Sequence, residues 1–412
     1  MEKQKCPEIR FNQFNENWSI ISLGDLMNVG SVKRVHQADW CDTGVRFLRA
    51  RDIVAFAKNE DIADPIYISQ DRYEEYSKLS GKVKVGDLLV TGVGTIGVPM
   101  LVGNDDPLYF KDGNVIWFKN ENAINGLFLY YSFINKTIQN FIKDSAGIGT
   151  VGTYTITSGK RTPIYLPKEN EQIQIGNFFQ NLDQSIALHE KKLSQTQNLK
   201  KAMLEKMFPK AGSTQPEIRL KGFSGDWEKK LLDKEVEFFS GLTYSPDDLT
   251  NKNGTLVLRS SNVQDNQIFM DDNVYVVHEA VNVCNVEVGD IIVVVRNGSR
   301  SLIGKHAVIN KQMNNTVIGA FMTGVKAKNP YFINALFDTS LFDVAVSRNL
   351  GATINQITTG MFKQMEFNFP DKTEQIAIGQ FFKQLDETLV LQQQQLQILK
   401  NLKQAFLEKM FV

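Results

Sequence analysis

Residues 171–208 have the sequence EQIQIGNFFQNLDQSIALHEKKLSQTQNLKKAMLEKMF, and residues 374–411 have the sequence EQIAIGQFFKQLDETLVLQQQQLQILKNLKQAFLEKMF. Aligned without a gap at an offset of 203 residues, the two copies are identical at 20 of 38 positions. Shared composition alone would not produce this agreement. The chain is therefore a tandem duplication.

Each copy is predicted to form one long helix. Neither copy contains proline, and each has a single glycine near its start, Gly176 or Gly379. Glu, Gln, Lys, Leu and Ala dominate both copies, and these residues favour helix. A helix of this length measures about 57 Å, so a narrow apolar stripe along it needs a partner.

Apolar residues recur in both copies at steps of four, three and seven, which predicts a coiled-coil seam. The predicted helix-pairing residues are Leu182, Ile186, Leu193, Met203, Met207, Leu385, Leu389, Leu396, Leu399, Phe406 and Met410. The expected partner of each helix is the other copy, because pairing within one chain avoids most of the entropic cost of association. The alternative is that each helix packs on its own globule. Polar seam positions at His189, Lys200 and Gln392 either set the register or face a further partner.

The repeat extends beyond the helices. PEIRFNQFNENW at residues 7–18 returns as PEIRLKGFSGDW at 216–227. In each unit, short β-branched runs with Gly-Asp turns predict strands. An aromatic-rich helical stretch, a loop of glycine and threonine, and a short run before the long helix follow. We predict two mixed α/β (α+β) globules, each followed by a long helix. The predicted division is 1–165, first globule; 166–208, first helix; 209–215, linker; 216–370, second globule; and 371–412, second helix.

Composition places the chain among ordinary globular proteins. Its 412 residues imply two or three domains, and 42% hydrophobic with 22% charged residues is typical of such domains. The first residues, MEKQKCPEIRF, lack an apolar signal region, and no run of eighteen apolar residues occurs. Three widely spaced cysteines, Cys6, Cys41 and Cys284, predict reduced thiols rather than a disulfide framework or a zinc site. We expect a cytoplasmic protein.

One glycine-rich motif could indicate a cofactor site. GVGTIG at residues 92–97 fits the GxGxxG pattern and follows an apolar run, as a dinucleotide site requires. The equivalent stretch of the second unit, RNGSRSLIG, lacks the pattern, and the residues VPMLV after Gly97 favour a strand rather than a helix. A turn between two strands is therefore the favoured interpretation, and a nucleotide-cofactor enzyme remains a weaker alternative.

No other pattern indicates catalysis. Asn329-Pro330-Tyr331-Phe332 resembles the Asn-Pro-Pro-aromatic motif of amino-methyltransferases, but it has one proline too few and is better interpreted as a helix start. The histidines, His36, His189, His278 and His306, lie far apart, so neither a metal cluster nor a catalytic triad is predicted. We predict no catalytic residue, no cofactor and no metal on this chain.

The remaining function class is binding, although net charge does not favour nucleic acid. Residues 1–165 carry 19 basic and 19 acidic side chains, and residues 213–370 carry 15 and 17, whereas nucleic-acid binders are usually basic. Local clusters of residues that contact bases or phosphates nevertheless occur where the two units differ. The candidates are Lys33, Arg34, His36, Arg46, Arg49, Arg51, Lys160, Arg161, Arg259, Asn262, Arg296, Asn297, Arg300, Lys305, Arg348 and Asn349. For any single residue, a solvated surface is the competing interpretation.

Taken together, these features resemble the specificity subunit of type I restriction-modification systems. The resemblance covers the whole chain, and it depends most on Glu171-Gln172-Ile173 with Leu182-Asp183 and on the same motif from Glu374 to Asp386. It implies that each globule is a target recognition domain for one half of a bipartite DNA site and that the two helices pair antiparallel as a spacer.

The resemblance also implies the partners. Adenine methyltransferase subunits, two per chain, would dock on the parts that the family conserves, and restriction subunits would join them. S-adenosylmethionine, ATP and magnesium would be bound by those subunits. A pseudo-twofold protein reads two half-sites, and the divergent globules predict an asymmetric target. A coiled-coil scaffold that binds no nucleic acid remains the main alternative, although a scaffold has little reason to vary its globules.

Overall fold

The computed structural model describes residues 6–146, 152–350 and 355–412, and the chain forms two compact units. Unit 1 comprises residues 1–190 with 395–412, and unit 2 comprises residues 191–394. Each unit therefore contains half of each long helix, whereas the sequence-based division at residues 165 and 370 stays a prediction. The predicted glycine and threonine loops lie partly outside the described residues.

The described residues of unit 1 contain ten strands and the start of the first long helix. The strands are β1 Ser19–Ser22, β2 Asn28–Gly30, β3 Trp40–Cys41, β4 Val45–Leu48, β5 Ile66–Ile68, β6 Leu88–Thr91, β7 Pro99–Leu101, β8 Leu108–Phe110, β9 Val115–Lys119 and β10 Pro163–Leu166. The helices are α1 Leu23–Leu26, α2 Ala50–Ala57, α3 Gln70–Ser80, α4 Gly126–Ile134, α5 Lys136–Ser145, α6 Ile156–Arg161 and α7 Glu169–Met207, the last of which continues into unit 2.

Unit 2 repeats the pattern. Its strands are β11 Glu228–Leu231, β12 Val236–Ser240, β13 Leu249–Thr250, β14 Thr255–Leu258, β15 Val263–Gln264, β16 Gln267–Ile268, β17 Val274–Val276, β18 Ile291–Val294, β19 His306–Val308, β20 Thr316–Ile318, β21 Met322–Ala327 and β22 Glu366–Phe369. Its helices are α8 Pro330–Phe337, α9 Ser340–Asn349, α10 Thr359–Lys363 and α11 Lys372–Lys409, the last of which ends in unit 1.

The sheets of the two units have the same strand order, which confirms the internal repeat. Unit 1 has sheets β2-β9-β6-β7, β3-β5-β4-β8 and β1-β10, and unit 2 has sheets β12-β21-β18-β19, β13-β17-β14-β20 and β11-β22. In both units the pair β4-β8 or β14-β20 is parallel, and the other pairs are antiparallel. Unit 2 adds the small hairpin β15-β16.

The Gly-Asp turns begin the central strand of each unit. Gly86 and Gly289 have φ of +89° and +95°, a conformation that glycine adopts without steric cost. The next residue, Asp87 or Asp290, accepts the backbone N–H of the residue three positions earlier at 2.9 Å or 2.8 Å. Strands β6 and β18 follow directly, and both are fully buried. These local signals explain why the sequence predicted both strands.

The GxGxxG segment is a turn between strands, as the sequence favoured. It connects β6 to β7, and these two strands pair antiparallel with Leu88 opposite Leu101. Gly94 and Gly97 have φ of +69° and +79°, which suits a tight turn. The chain enters a strand after Gly97, whereas a pyrophosphate site needs a helix N-terminus there.

Each aromatic-rich stretch forms two helices rather than one. In unit 1 the break falls at Asn135, whose side chain accepts the N–H of Thr137 and caps α5. In unit 2 it falls at Thr339, which caps α9 in the same way. The predicted helix start at Asn329 is confirmed, with Pro330 as the first residue of α8.

The predicted long helices are confirmed as continuous, and the end of each completes a hydrophobic core. In unit 1, Phe411 lies 5.5 Å from Phe128 and 5.8 Å from Phe179 between ring centroids. In unit 2, Phe208 lies 5.8 Å from Trp227 and 5.6 Å from Phe332. The repeated MF at the end of each copy is therefore core, which explains its repetition in the sequence.

The repeated PEIR and EQ motifs are two halves of one contact. Arg10 forms a bidentate pair with Glu171 at 2.6 and 2.7 Å, and Arg219 forms the same pair with Glu374 at 2.8 and 2.7 Å. Both carboxylates are buried. Because a buried carboxylate is costly unless it is paired, these contacts fix the N-terminal segment of each globule on the start of its helix.

The helices run antiparallel within each unit, as the family resemblance implied. In unit 1, Lys403 pairs with Asp183 at 2.5 Å, and Lys400 pairs with Glu190 at 2.7 Å. In unit 2, Lys200 pairs with Asp386 at 2.6 Å. The predicted helix-pairing residues are all buried or half-buried. The sequence left two arrangements open, pairing of the helices with each other and packing of each helix on a globule. Both are present, because the helices pair with each other and also pack on the globules.

Candidate nucleic-acid interface

Three loops of unit 2 meet at the end of strand β18. The carbonyl of Phe321 accepts the N–H groups of Val295 at 2.9 Å and Arg296 at 3.2 Å, and the N–H of Ile357 donates to the carbonyl of Val295 at 2.9 Å. Asn297 donates its side-chain amide to the hydroxyl of Ser260 at 3.0 Å. We call residues 259–260, 296–300, 321 and 355–356 the strand-end surface of unit 2.

Basic and amide side chains share this surface. The Arg296 guanidinium lies over the ring of Phe321, 5.0 Å from its centroid. Asn355 donates its amide to the carbonyl of Gly298 at 3.1 Å, which fixes the loop that carries Asn297. Arg300 approaches the carbonyl of Ser347 on α9 at 3.5 Å. The structure thus brings together Arg296 and Asn297, two candidates from the sequence.

Unit 1 has the same backbone connections at the end of β6 but different side chains. The N–H of Gly92 donates to the carbonyl of Asn114 at 2.8 Å, and the N–H of Tyr154 donates to the carbonyl of Gly92 at 2.9 Å. Asn114 therefore occupies the position of Phe321, and Val93 that of Arg296. No lysine or arginine occurs between the end of β6 and Lys111, which follows β8.

The basic residues of unit 1 lie instead around the end of β8. The hydroxyl of Tyr109 donates to the carbonyl of Lys33 at 2.9 Å, and Arg34 pairs with Asp112 at 2.9 Å. The N–H of Lys111 donates to the carbonyl of Leu48 at 2.8 Å. We call Lys33, Arg34 and Lys111 the basic edge of unit 1. Lys33 and Arg34 are exposed and Lys111 is half-buried.

Two candidate arginines anchor loops. Arg49 makes charge-assisted hydrogen bonds to Asp52 at 2.9 Å and to the carbonyl of Asp64 at 2.8 Å. Arg259, its counterpart, bonds the carboxylate of Asp272 at 2.6 Å. Each holds a segment 13 or 15 residues away. These guanidiniums are therefore largely committed to the protein.

Asn262 is the candidate that the structure removes from the surface. Its side chain is buried, accepts the N–H of Arg259 at 2.9 Å and donates to the carbonyl of Phe269 at 2.9 Å. The position matches Asp52 of unit 1, which accepts the N–H of Arg49 at 2.8 Å. Asn262 closes a turn and has no amide group left for a base.

The other candidates lie in strand β4, on loops and near helix ends. His36 caps a short 3₁₀ turn, Arg46 lies over the ring of Tyr67 at 5.4 Å, and Arg51 pairs with Asp64. Asn349 donates to the carbonyl of Ala345 at 2.8 Å within α9. His36 and Arg51 are exposed, as are four further candidates, Lys160, Arg161, Lys305 and Arg348. No hydrogen bond or ion pair in the described residues joins these four to either surface.

Sequence reasoning missed Phe321, Lys111, Ser260 and Asn355. Phe321 lies directly before strand β21, and 53% of it is exposed. The missing signal was the alignment with Asn114, since a polar counterpart in the other unit marks a solvent-facing position.

Unit 2 also contains a buried ionic cluster that involves both long helices. Lys200 of α7 contacts Asp386 of α11 at 2.6 Å and Asp338 at 2.7 Å. His306 of β19 contacts Asp338 at 3.2 Å through Nε2, and its Nδ1 lies 2.9 Å from the carbonyl of Gly304. Asn266 donates to Asp338 as well. The cluster ties the helix pair to the globule.

Burial and charge act in opposite directions on this cluster. Burial opposes ionisation of Asp338, but the hydrogen bond and charge of His306, with Lys200, lower its pKa to about 2. Burial alone would lower the pKa of His306, yet Asp338 raises it above its usual value. Burial likewise opposes the charge of Lys200, whose pKa its two aspartates raise. The cluster is therefore a set of charges that must be kept together.

Unit 1 has a simpler counterpart. Lys403 and Asp183 replace Lys200 and Asp386, Asp183 accepts the hydroxyl of Tyr131 at 2.8 Å, and Ile134 stands where unit 2 has Asp338. The Lys–Asp pair is common to both units, whereas the buried His–Asp pair belongs to unit 2. The polar seam position Lys200 thus carries a pairing role that the sequence anticipated only in general terms.

Other site types find no support in the part of the chain that the structure describes. No group of three or more His, Cys, Asp and Glu side chains there could hold a metal ion. The three cysteines are free thiols. No described helix is both long and apolar enough to cross a bilayer.

Comparison with known families identifies the class of protein. The family model for the type I restriction modification DNA specificity domain matches residues 15–198 and again residues 224–401. These two matches cover most of the chain, one for each copy of the repeat. The chain belongs to this family.

Individual relatives agree. A putative type I restriction enzyme specificity subunit of Haemophilus influenzae is 29% identical over 175 residues, 40% of this chain and 41% of that protein. A type I restriction enzyme specificity subunit of Methanocaldococcus jannaschii is 25% identical over 219 residues, 49% of this chain and 48% of that protein. These alignments span less than half the length of either relative.

Solved structures show the same fold. The crystal structure of a type I restriction-modification S subunit from M. genitalium superposes with a TM-score of 0.65 over 99% of both chains at 15% identity. A chain from work on complex assembly and conformational transition of the type I R-M system gives a TM-score of 0.53 over 95% of this chain and 96% of that one, at 16% identity.

Proposed function

We propose that this chain is a DNA-recognition subunit whose two units each read one half of a bipartite, asymmetric site. It would direct adenine methyltransferase and restriction subunits to that site. The methyltransferase and restriction subunits would supply the chemistry and bind S-adenosylmethionine, ATP and magnesium, and this chain would supply only specificity.

The observation that carries the proposal is the contrast between scaffold and loops. Both units have one strand order and the same hydrogen bonds at the strand ends, yet the exposed side chains there differ. Arg296 and Asn297 project from unit 2 where unit 1 has Val93 and Gly94. Base readout depends on such side chains, whereas the scaffold sets their position. Two unlike surfaces on one scaffold fit two unlike half-sites.

Charge supports a division of labour with the partners. The chain carries 46 basic and 46 acidic side chains, so it has little long-range attraction for the phosphate backbone, which dominates DNA affinity. We therefore expect the isolated chain to bind DNA weakly at physiological salt. Titration of the purified chain against its site checks this, and tight binding would contradict it.

Repeated exposed leucines support two docking faces for partners. Unit 1 exposes Leu188 and Leu402, and unit 2 exposes the equivalent Leu391 and Leu199. In each unit the two leucines lie at the same level of the antiparallel helix pair, since Lys400 and Glu190 pair at that level in unit 1. Identical exposed apolar residues on duplicated helices indicate contact surfaces rather than chance exposure. Two equivalent faces fit two methyltransferase subunits, one per unit.

Paired substitutions test the docking faces. Leu188→Lys with Leu402→Lys is expected to remove one methyltransferase subunit from the assembled complex, and Leu199→Lys with Leu391→Lys the other, because a lysine ammonium cannot be buried unpaired. Native mass spectrometry of the co-expressed complex reads the stoichiometry. A control with Gln180→Lys, at an exposed polar position on the same helix, changes charge without removing apolar surface. Retention of both subunits in both leucine variants would reject these faces.

The decisive test is genomic methylation. A methylation-free host expresses the neighbouring methyltransferase subunit with or without this chain, and single-molecule sequencing maps methyladenine. We expect methyladenine at a bipartite asymmetric motif only when the chain is present. If the subunits assemble but no motif appears, the DNA-recognition proposal fails and the scaffold alternative gains support.

A further inference from the structure

Phe321 occupies an unusual position on the strand-end surface of unit 2. Its backbone is fixed, because its carbonyl accepts the N–H groups of Val295 and Arg296. Its ring is 53% exposed, with the Arg296 guanidinium 5.0 Å from the ring centroid. A rigid backbone therefore presents an aromatic ring and a cation side by side.

Exposure alone is weak evidence, because single exposed apolar residues are common on protein surfaces. Phe321 differs in two respects. Its counterpart in unit 1 is the polar Asn114, so the scaffold does not require an aromatic ring at this position. It also adjoins Arg296 and Asn297, whose loop is fixed by hydrogen bonds to Ser260 and from Asn355. The ring is therefore part of what distinguishes unit 2 from unit 1.

The guanidinium of Arg296 has free donors. Within the residues that the structure describes, none of its N–H groups makes a hydrogen bond or ion pair, and the phenyl ring covers one face. Stacking of this kind holds the guanidinium plane while its edge stays available. Holding a side chain in its binding orientation before contact reduces the entropy lost on binding.

We propose that Phe321 and Arg296 form one base-reading element in the major groove of the half-site bound by unit 2. Phe321 would contact the C5-methyl group of a thymine, and Arg296 would donate two hydrogen bonds to O6 and N7 of a neighbouring guanine. These are the contacts that an apolar side chain and a bidentate arginine make with base edges. This inference rests on the DNA-recognition function proposed above.

Deoxyuridine tests the thymine contact, because it lacks only the methyl group. Once genomic methylation has given the motif, each thymine of both halves is replaced in turn, and binding to the complete complex with its methyltransferase subunits is measured. We expect one position where the wild-type complex loses about fourfold in affinity, the effect of one buried methyl group. In the Phe321→Ala complex, thymine and uracil should bind equally at that position.

Arg296→Lys tests the guanine contact while keeping the charge. We expect relaxed discrimination at one guanine beside that thymine, by about tenfold or more, with an unchanged salt dependence. Phe56→Ala removes an exposed phenylalanine of unit 1 and serves as the control, which should retain the uracil effect. Thermal unfolding of each variant establishes that it is folded.

The outcomes separate the two proposals. The absence of any methylation motif would reject DNA recognition itself. A motif without a uracil-sensitive thymine, or with one that Phe321→Ala leaves equally sensitive, would overturn the Phe321 contact alone. A guanine preference unaffected by Arg296→Lys would overturn the arginine contact.

Discussion

Units 1 and 2 build the same sheets, but they place their basic side chains at different ends of them. In unit 1 the exposed Lys33 and Arg34 lie beside the end of β8, where unit 2 has Leu242 and Thr243 at the equivalent positions. In unit 2, Arg296 follows β18, where unit 1 has the uncharged Val93. The same scaffold therefore supports two different distributions of charge.

The contacts that remain the same in both units explain how this variation is tolerated. The Arg–Glu pair at the start of each long helix, the Gly-Asp turn before the central strand and the phenylalanine at each helix end recur in both units. They lie in the core or at helix ends, away from the strand-end loops. The residues that stabilise the fold are thus different from those on the proposed recognition surfaces, so the loops can change without loss of the fold.

The helix pair gives the largest expected difference between the units. Lys200→Met would leave Asp338 and Asp386 of the buried cluster without their cation, and loss of one partner of a buried ion pair costs about 3–5 kcal/mol. Lys403→Met would break the equivalent pair of unit 1, in which Lys403 is more exposed than Lys200 and Asp183 also bonds Tyr131. We expect a cost below about 1 kcal/mol there.

Urea unfolding followed by hydrogen exchange in peptides of each unit measures both losses separately. The two variants remove the same atoms at equivalent positions, so each is the other's control. Equal losses would show that His306 and Asp338 do not increase the stability lost when Lys200 is removed. The contrast between the two clusters would then be lost.

Exchange of the basic edge tests whether charge placement determines specificity. Lys33→Leu with Arg34→Thr gives unit 1 the residues that unit 2 carries at those positions. If these side chains read bases, we expect a loss of about 1–3 kcal/mol per contact at defined positions in one half of the motif. If they contact phosphates, binding weakens evenly and the salt slope falls by about one per charge.

Methylation mapping and salt titration of the variant complex distinguish these results. Lys229→Leu, an exposed lysine on β11 of unit 2 that pairs with Glu366, removes a charge away from both surfaces and serves as the control. An unaltered motif with an unaltered salt slope would show that the basic edge of unit 1 does not face DNA.

The two anchoring arginines should behave alike, with unit 1 more sensitive. Arg49→Ala leaves the buried Asp52 without its guanidinium, and loss of a hydrogen bond to a charged group costs about 1–3 kcal/mol. Arg259→Ala releases Asp272, which is exposed, so we expect about 1 kcal/mol or less. Thermal unfolding of the two single variants shows which one loses more stability. A larger loss of stability for Arg259→Ala would contradict the expectation.

The sequence predicted the repeated elements because their signals are local and occur twice. Long helices, Gly-Asp turns and the helix start at Asn329 each depend on a few adjacent residues, and the duplication confirmed each by its copy. The sequence alone could not reveal that Arg10 pairs with Glu171, 161 residues away, because nothing in either segment specifies the other. The motifs were visible as repeats, but the contact that causes the repetition was not.

The candidate surface was harder to predict for the same reason. Arg49, Arg259 and Arg296 are the same residue type near the ends of apolar strands. Two of them hold loops, whereas the Arg296 side chain makes no hydrogen bond or ion pair with the residues that the structure describes. What separates them is the presence of Asp64 and Asp272 on a distant segment. Residue type selected the candidates, but only long-range contacts show which side chains are available.

The smallest expected effect is a pH dependence that belongs to unit 2. His306 has a pKa above its usual value of 6.5 because Asp338 stabilises its charged form against burial. A raised pKa in the folded state contributes stability that is complete below about pH 6.5 and is lost as pH rises through the folded pKa. In unit 1, Pro99 stands opposite Val90 where His306 stands opposite Val293, so no such loss is expected there.

The alkaline side is the informative one, because the ordinary pKa of histidine lies at its start, whereas the ordinary pKa values of aspartate and lysine lie outside pH 6.5–9. Hydrogen exchange should therefore show that the free energy of unfolding of unit 2 falls over this range. The fall should be about 1.4 kcal/mol for every tenfold increase that folding causes in the proton affinity of His306. The free energy of unfolding of unit 1 should stay constant. Asp338→Asn, which removes the carboxylate charge at nearly the same size, should abolish the slope, and Ile134→Asp at the equivalent position of unit 1 should create none. If unit 2 shows no decline above pH 6.5, or if Asp338→Asn leaves the decline intact, the His306–Asp338 pair is not its source, and the ionic difference between the units has no effect on stability near neutral pH.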